Sequence, residues 1–404
     1  MNRRFQFSVV AVSSCVVGLL LFGAVRGRSA STDNPYNNLG VYSEVLSKIK
    51  LEYVEEPDMK AVTLGAINGM LESIDPYASY LNADQYKQYV KTKDTKKGDI
   101  GLTLSKRFGY MSVVDALPGS PAAKAGLATG DVIESISNIS TRDMPLAFAE
   151  LLFQGDPGTT IEMSVLRARK SEAQKVELSR AVLVYPALVA KLVTDQGPQP
   201  IGLIQTVTLA PGRVKEIAAK IQELEKQGAK KFVLDLRYCG TGADEDGIAL
   251  ANLFIDKGLL TYTVGQKAAR QDFQATPAKE ITKLPLAVIV NRGTAGAAEI
   301  AAAALEDTKR AELVGEKTYG DASIRKAIQM DDGSAVILSI AKYYSPNGNS
   351  IQDKGVTPNT LQADVELSAA TDDDDDADAP PAAAGNVKPG GDPVLIKTYE
   401  IIKK

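Results

Sequence analysis

The sequence predicts a multidomain protein with α+β and α/β parts, and three observations carry that expectation. At 404 residues the chain exceeds the roughly 250 to 300 residues over which one hydrophobic core keeps growing. The spacing of its apolar residues changes twice, from helical, to alternating, to strand and helix in turn. With 44% hydrophobic and 24% charged residues, its composition is that of folded globular domains.

The elements follow in order. Arg3 and Arg4 precede an apolar run over residues 5–25, which Arg26 and Arg28 close. At about 1.5 Å per residue a helix of this length reaches across a bilayer core. Residues 1–30 are therefore expected to be a signal anchor or signal peptide that exports the rest. An uncleaved anchor is favoured, because the apolar run is long and no small-residue cleavage site follows it. The body of the chain is thus expected on the periplasmic or extracytoplasmic side of a bacterial-type inner membrane. Cys15, in the faintly lipoprotein-like VSSC, reads as a small apolar residue of the membrane helix.

Residues 34–97 form a helical module in this reading. Val41, Val45, Ile49 and Val54 mark one helix, and Val62, Ile67, Met70 and Leu71 a second. Asp75-Pro76 ends the second helix, since proline disfavours helix in the residue before it. Over residues 98–182 the period changes. GDIGLTL and YMSVVDAL alternate as strands, SPAAKAGL is a short helix, ATGDVIESISN a turn and strand, LAFAELLFQ a second helix and TIEMSVLRA another strand.

From 183 to 366 strand and helix take turns. IGLIQTVTL, KKFVLDLR and LPLAVIVN read as strands; PGRVKEIAAKIQELEKQG, DEDGIALANLFIDKG and AAEIAAAALEDTKR read as helices. This order predicts a partly parallel sheet, with ligands gathering where strand ends meet helix starts, at VLDLRYCGTG and VNRGTAG. Residues 371–393, an aspartate run followed by Ala, Pro and Gly, are expected to be a disordered linker. Residues 394–404 have helical spacing and are expected to dock as a last helix.

Composition excludes several chemistries. The chain has no histidine, which removes Ser-His-Asp triads, Cys-His dyads and His-ligated zinc together. Cys15 and Cys239 cannot build a disulfide framework. Six of the acidic residues lie at 372–376 and 378, so the body is near neutral, and no basic patch points to nucleic acid. No motif implies a metal or a cofactor.

Thr294 to Asp307, TAGAAEIAAAALED, is a small-residue turn running into an amphipathic helix, the kind of mount that carries a nucleophile in many hydrolases. It holds no serine, cysteine or histidine where one would sit.

Residues 98–182 resemble a PDZ domain, chiefly through SPAAKAGLATGDVIESIS, Ser120 to Ser137. The resemblance implies binding of protein or peptide C-termini by strand addition. The loop Ile100, Gly101, Leu102 and Thr103 would take the carboxylate, with Ile100, Leu102 and Leu104 near the side-chain pocket. As a whole the chain resembles the carboxyl-terminal processing proteases, S41 serine peptidases with a PDZ domain. SIDPYASYLNADQY, FVLDLR, VNRGTAGAAEIAAAALED, VGEKTYGDASI and AKYYSPNGNSIQDKGVTPN carry that resemblance. It implies an S41 peptidase-like α/β core with a Ser/Lys dyad assisted by a glutamine, a mechanism that needs no histidine.

At those positions the sequence departs from the family. Gly296 stands at the nucleophile, Asp321 at the general base and Arg325 at the glutamine. An aspartate beside an arginine reads as an ion pair filling the vacated site. Gly240, Gly242 and Ala297 are the oxyanion-turn candidates, and Thr294, Ser323 and Cys239 are the remaining nucleophile candidates. The expected function is a membrane-anchored pseudoprotease that binds C-termini. The alternatives are a peptidase with a rewired nucleophile, or a regulatory subunit of an active relative, with homo-oligomers as a further expectation.

Overall fold

The computed structural model describes residues 38–93, 98–107, 109–142, 144–167, 170–363 and 391–403. The apolar run at 5–25 and residues 371–390 of the expected linker lie outside them. Among the described residues no helix is long and apolar enough to cross a membrane. The chain divides into two compact units, Met1–Gly65 and Ala66–Lys404.

In the first unit, α1 runs Leu39–Glu52 and buries none of its residues. Val54, expected on this helix, lies beyond its end, because the backbone at Tyr53 is extended. Helix α2, Met59–Glu72, starts in the first unit and ends in the second.

Among the described residues the second unit contains three sheets. Strand β1, Ser79–Leu81, precedes α3, Ala83–Lys93. An antiparallel domain comes next: β2 (Leu102–Arg107), β3 (Tyr110–Ala116), the single turn α4 (Pro121–Lys124), β4 (Val132–Ile136), β5 (Ile139–Ser140), α5 (Leu146–Phe153), β6 (Thr160–Leu166) and β7 (Ala173–Ser179). Its sheet order is β2-β3-β4-β6-β7, with β5 on β4. Alternate residues of these strands, such as Met111 and Val113 or Ile161, Met163 and Val165, turn inward against Leu146, Ala149 and Phe153 of α5. The first strand starts at Leu102 rather than in GDIG, because Gly101 has a positive φ of 78° and turns the chain.

The remaining elements are β8 (Val189–Val193), β9 (Ile201–Gln205), α6 (Arg213–Lys226), β10 (Lys231–Asp235), α7 (Asp244–Asn252), β11 (Leu259–Val264), β12 (Gln271–Gln274), β13 (Leu286–Val290), α8 (Ala297–Asp307), β14 (Ala311–Gly315), β15 (Ser323–Gln329), β16 (Ala335–Tyr344), β17 (Thr360–Leu361) and α9 (Pro393–Lys403). The central sheet has the order β17-β14-β13-β10-β9-β8, parallel throughout except for the antiparallel edge β8. Its inner strands β9, β10 and β13 are buried on both faces and are rich in apolar residues, LAVIV in β13 being wholly buried. Helices α6, α7 and α8 share the core on one face. On the other face Val394, Tyr399 and Ile402 of α9 pack with Leu203, Val233 and Ile289.

The third sheet, β1-β16-β11-β12 with β15 on β16, is antiparallel. It brings the Ser79–Leu81 strand against Ala335–Ile337, more than two hundred residues away in sequence.

Candidate active-site cleft

The cleft forms where the turns after the parallel strands β10 and β13 are stitched together. Thr294, fully buried, donates from Oγ1 to the Leu236 carbonyl at 2.9 Å and accepts the Asn291 N–H at 3.0 Å. Asn291 Oδ1 accepts from Gly293 and Tyr238 N–H, both at 3.0 Å, and Ala295 N–H donates to the Cys239 carbonyl at 3.0 Å. Thr294 is thus a tie between two turns. Cys239 is equally buried, among apolar neighbours that push its thiol pKa up, so no thiolate is offered at the surface.

Gly296 caps α8 with φ 61° and ψ −123°, a backbone region that favours glycine. The position is roomy: a Cβ there would meet only the Asp321 carbonyl, at 3.8 Å. Gly242 has a different reason to be glycine, since a Cβ would lie 2.6 Å from Leu209 Cβ. A Cβ on Gly247 would lie 2.1 Å from the Ala297 carbonyl, so its absence lets α7 lie against the head of α8. Among the described residues no acceptor pairs with the N–H of Ala297 or Gly240. The Ala297 N–H opens α8, where the helix dipole adds to the donor in favouring an anion or a developing oxyanion; Gly240 lies on the turn after β10.

Glu299 holds the head of α8 to the segment after β14. Its side chain is fully buried and accepts four donors. Oε1 takes Thr318 Oγ1 and the Gly320 N–H at 2.7 Å, and Oε2 takes the Asp321 N–H at 2.8 Å and the Gly296 N–H at 3.1 Å. Burial nevertheless pushes its carboxyl up to about 7, against the pull of these donors.

Asp321 and Arg325 pair directly across the space beside Gly296, with about 27% and 31% of their side chains exposed. The Arg325 guanidinium also lies 4.1 Å from the centre of the Tyr77 ring, which stands edge-on to Tyr319. Burial pushes the Asp321 carboxyl up, and the Arg325 charge offsets this only in part. Ser323 Oγ is hydrogen-bonded at 2.9 Å to Ser339 Oγ, which donates to Asp75 Oδ2.

The structure therefore brings Gly296, Ala297, Gly240, Asp321, Arg325 and Ser323 to one cleft, and places Thr294, Cys239 and Gly242 behind it as structural residues. Sequence reasoning missed Asp75, Tyr77 and Ser339. Asp75 was read only as a helix stop, and the motif SIDPYASYLNADQY that contains two of them was the available signal.

In the antiparallel domain, Ile100 and Leu104 are buried in the core, while Leu102 is only partly buried and packs against it. Thr103 Oγ1 comes within 3.9 Å of where a Gly240 Cβ would stand, so β2 borders the cleft. The Gly101 N–H donates to Asp99 Oδ1 at 2.8 Å.

A model of peptidase family S41 matches residues 200–361, and a PDZ domain model matches residues 112–167. The chain is 33% identical over 368 residues to the carboxy-terminal processing protease CtpA of Bacillus subtilis, covering 89% of this chain and 77% of that one. It is 31% identical to a carboxyl-terminal-processing protease of Synechocystis, covering 80% of each. Among solved structures it is similar to a photosystem II D1 C-terminal processing protease, with a TM-score of 0.66 and 28% identity over 79% of this chain and 86% of that one.

Proposed function

Because this chain belongs to the S41 peptidases, among the PDZ-containing carboxy-terminal processing proteases, we propose that it is a member that binds peptides without cleaving them. In this reading it is exported and anchored by residues 5–25, and holds protein C-termini at its PDZ domain. The observation that carries the reading is the pairing of Asp321 with Arg325 beside Gly296. Glycine offers no atom to attack a carbonyl. A carboxylate bound to a guanidinium is a poor base for activating a hydroxyl. The unpaired N–H groups of Ala297 and Gly240 remain suited to hold a peptide carbonyl or carboxylate.

The test incubates the full chain in mild detergent with a loosely folded protein and with peptides bearing free C-termini. Mass spectrometry reads cleavage and calorimetry reads binding. Binding without cleavage is expected. Cleavage appearing in the triple variant Gly296→Ser, Asp321→Lys, Arg325→Gln would identify these positions as the defect.

A second reading, a peptidase with a rewired nucleophile, is favoured by the hydrogen-bonded series Ser323, Ser339 and Asp75. Cleavage by the unmodified chain that disappears in Ser323→Ala would replace the first reading with this one.

A further inference from the structure

The loop before β2 already holds a carboxylate. Asp99 turns its side chain back onto the loop, and Oδ1 accepts the Gly101 N–H at 2.8 Å. Burial pushes the Asp99 carboxyl up, while the Gly101 and Ile100 N–H groups, which face it, and the Arg180 charge pull the other way. The backbone fixes the arrangement from both sides. Asp99 is paired through its own N–H and carbonyl with Ala181 at 2.9 and 3.0 Å, and the Ile100 carbonyl accepts the Ala122 N–H at 3.0 Å. Gly101 has φ 78° and is hemmed in, because a Cβ there would fall 2.4 Å from Ser120 Cβ. Consecutive N–H groups turned to one side make a small anion-binding concavity, and such concavities capture the terminal carboxylates of peptides.

We propose that Asp99 is an internal ligand of the carboxylate-binding loop, competing with the C-terminal carboxylate of an incoming peptide and setting the affinity and selectivity of the PDZ domain. The inference rests on the peptide-binding reading of that domain. An arriving carboxylate meets a like charge within a few ångströms and an N–H already engaged. It gains the loop only when the Asp99 side chain swings away. Peptides held by strand addition along β2, whose affinity does not depend on a free terminus, are penalised less.

The experiment measures binding of one peptide, with a free and with an amidated C-terminus, to the full chain and to Asp99→Asn and Asp99→Ala. Asparagine keeps an acceptor on the Gly101 N–H but removes the charge, and alanine removes both. Affinity for the free peptide is expected to rise from the parent to Asp99→Asn to Asp99→Ala, by about tenfold or more between the ends. The amidated peptide should change less than about threefold. If the parent binds the free peptide and neither variant tightens it, the Asp99 inference fails and the peptide-binding reading stands. If the parent and both variants fail to bind either peptide, the peptide-binding reading falls and takes the inference with it. Equal tightening of both peptides would also overturn the inference, because the gain would then not concern the terminal carboxylate. Asp99→Asn keeps the test open should the alanine variant fold poorly.

Discussion

Replacing Glu299 by glutamine tests the joint between the head of α8 and the 318–321 segment, and its outcome depends on pH in a defined direction. The Glu299 carboxyl, ordinarily near 4.5, is pushed up to about 7 by burial. Between those values the folded chain holds a proton that the unfolded chain has released. The stability this contributes is fully present below pH 4.5 and lost as the pH rises through about 7. At about 1.36 kcal/mol per pH unit, the window amounts to at most about 3 to 4 kcal/mol.

Glutamine copies the neutral acid. Its carbonyl can accept the Gly296 and Asp321 N–H groups, while its NH2 replaces Oε1, donates to Thr318 Oγ1 and orphans the Gly320 N–H. A buried donor left without an acceptor costs about 1 to 3 kcal/mol. Glu299→Gln is therefore expected to be less stable than the parent by that amount at about pH 5.5, with the gap closing or reversing at about pH 8.5, where only the parent has lost its proton. Urea unfolding followed by circular dichroism at both pH values, compared at equal slope, measures the gap. A gap that widens with pH would refute the reasoning, since it would mean that the four donors hold a stable carboxylate.

The remaining predictions concern the same helix head. Gly247→Ala places a methyl 2.1 Å from the Ala297 carbonyl, so it should cost about 3 kcal/mol or more and lower the melting temperature sharply; a loss under about 1 kcal/mol would mean the two helices separate easily. Gly296→Ala has space but an unfavourable φ of 61°, so calorimetric unfolding should show a loss of about 1 to 3 kcal/mol. Arg325→Ala unpairs Asp321 and uncovers Tyr77; because the pair is about a third exposed, the expected loss is about 1 to 2 kcal/mol. A double-mutant cycle with Asp321→Ala should give a coupling of similar size, and additive losses would show that the pair is incidental.

What could be read from the sequence was local. The apolar runs of β9, β10 and β13, and the helix that became α8, are legible because burial on both faces or along a stripe leaves its period in the chain. The third sheet was not, because β1 and β15 are completed by β16, and polar residues such as Ser339 and Lys342 break its apolar pattern. The helix expected over DEDGIALANLFIDKG stops at Asn252, where 3₁₀-type bonds from Leu253 and Phe254 N–H tighten the last turn. In the cleft, the Asp321–Arg325 pair could be expected because the family resemblance puts both positions at one site, where opposite charges pair. The stacking of Arg325 on Tyr77 and the Ser339–Asp75 bond could not, because they join distant parts of the chain.

The docking of α9 decides what one face of the central sheet shows to water. Asp392 caps the helix by accepting the Val394 and Leu395 N–H groups and binds Arg237, while Lys231 Nζ donates to the carbonyls of Ile402 and Lys403. Both ends of the helix are therefore fastened to the central sheet, and Ile402 is buried against it. When α9 detaches, Leu203, Val233 and Ile289 lose their cover, and the sheet presents an apolar face to water. Loosening the Lys231 or Arg237 contacts would therefore promote self-association without touching the cleft.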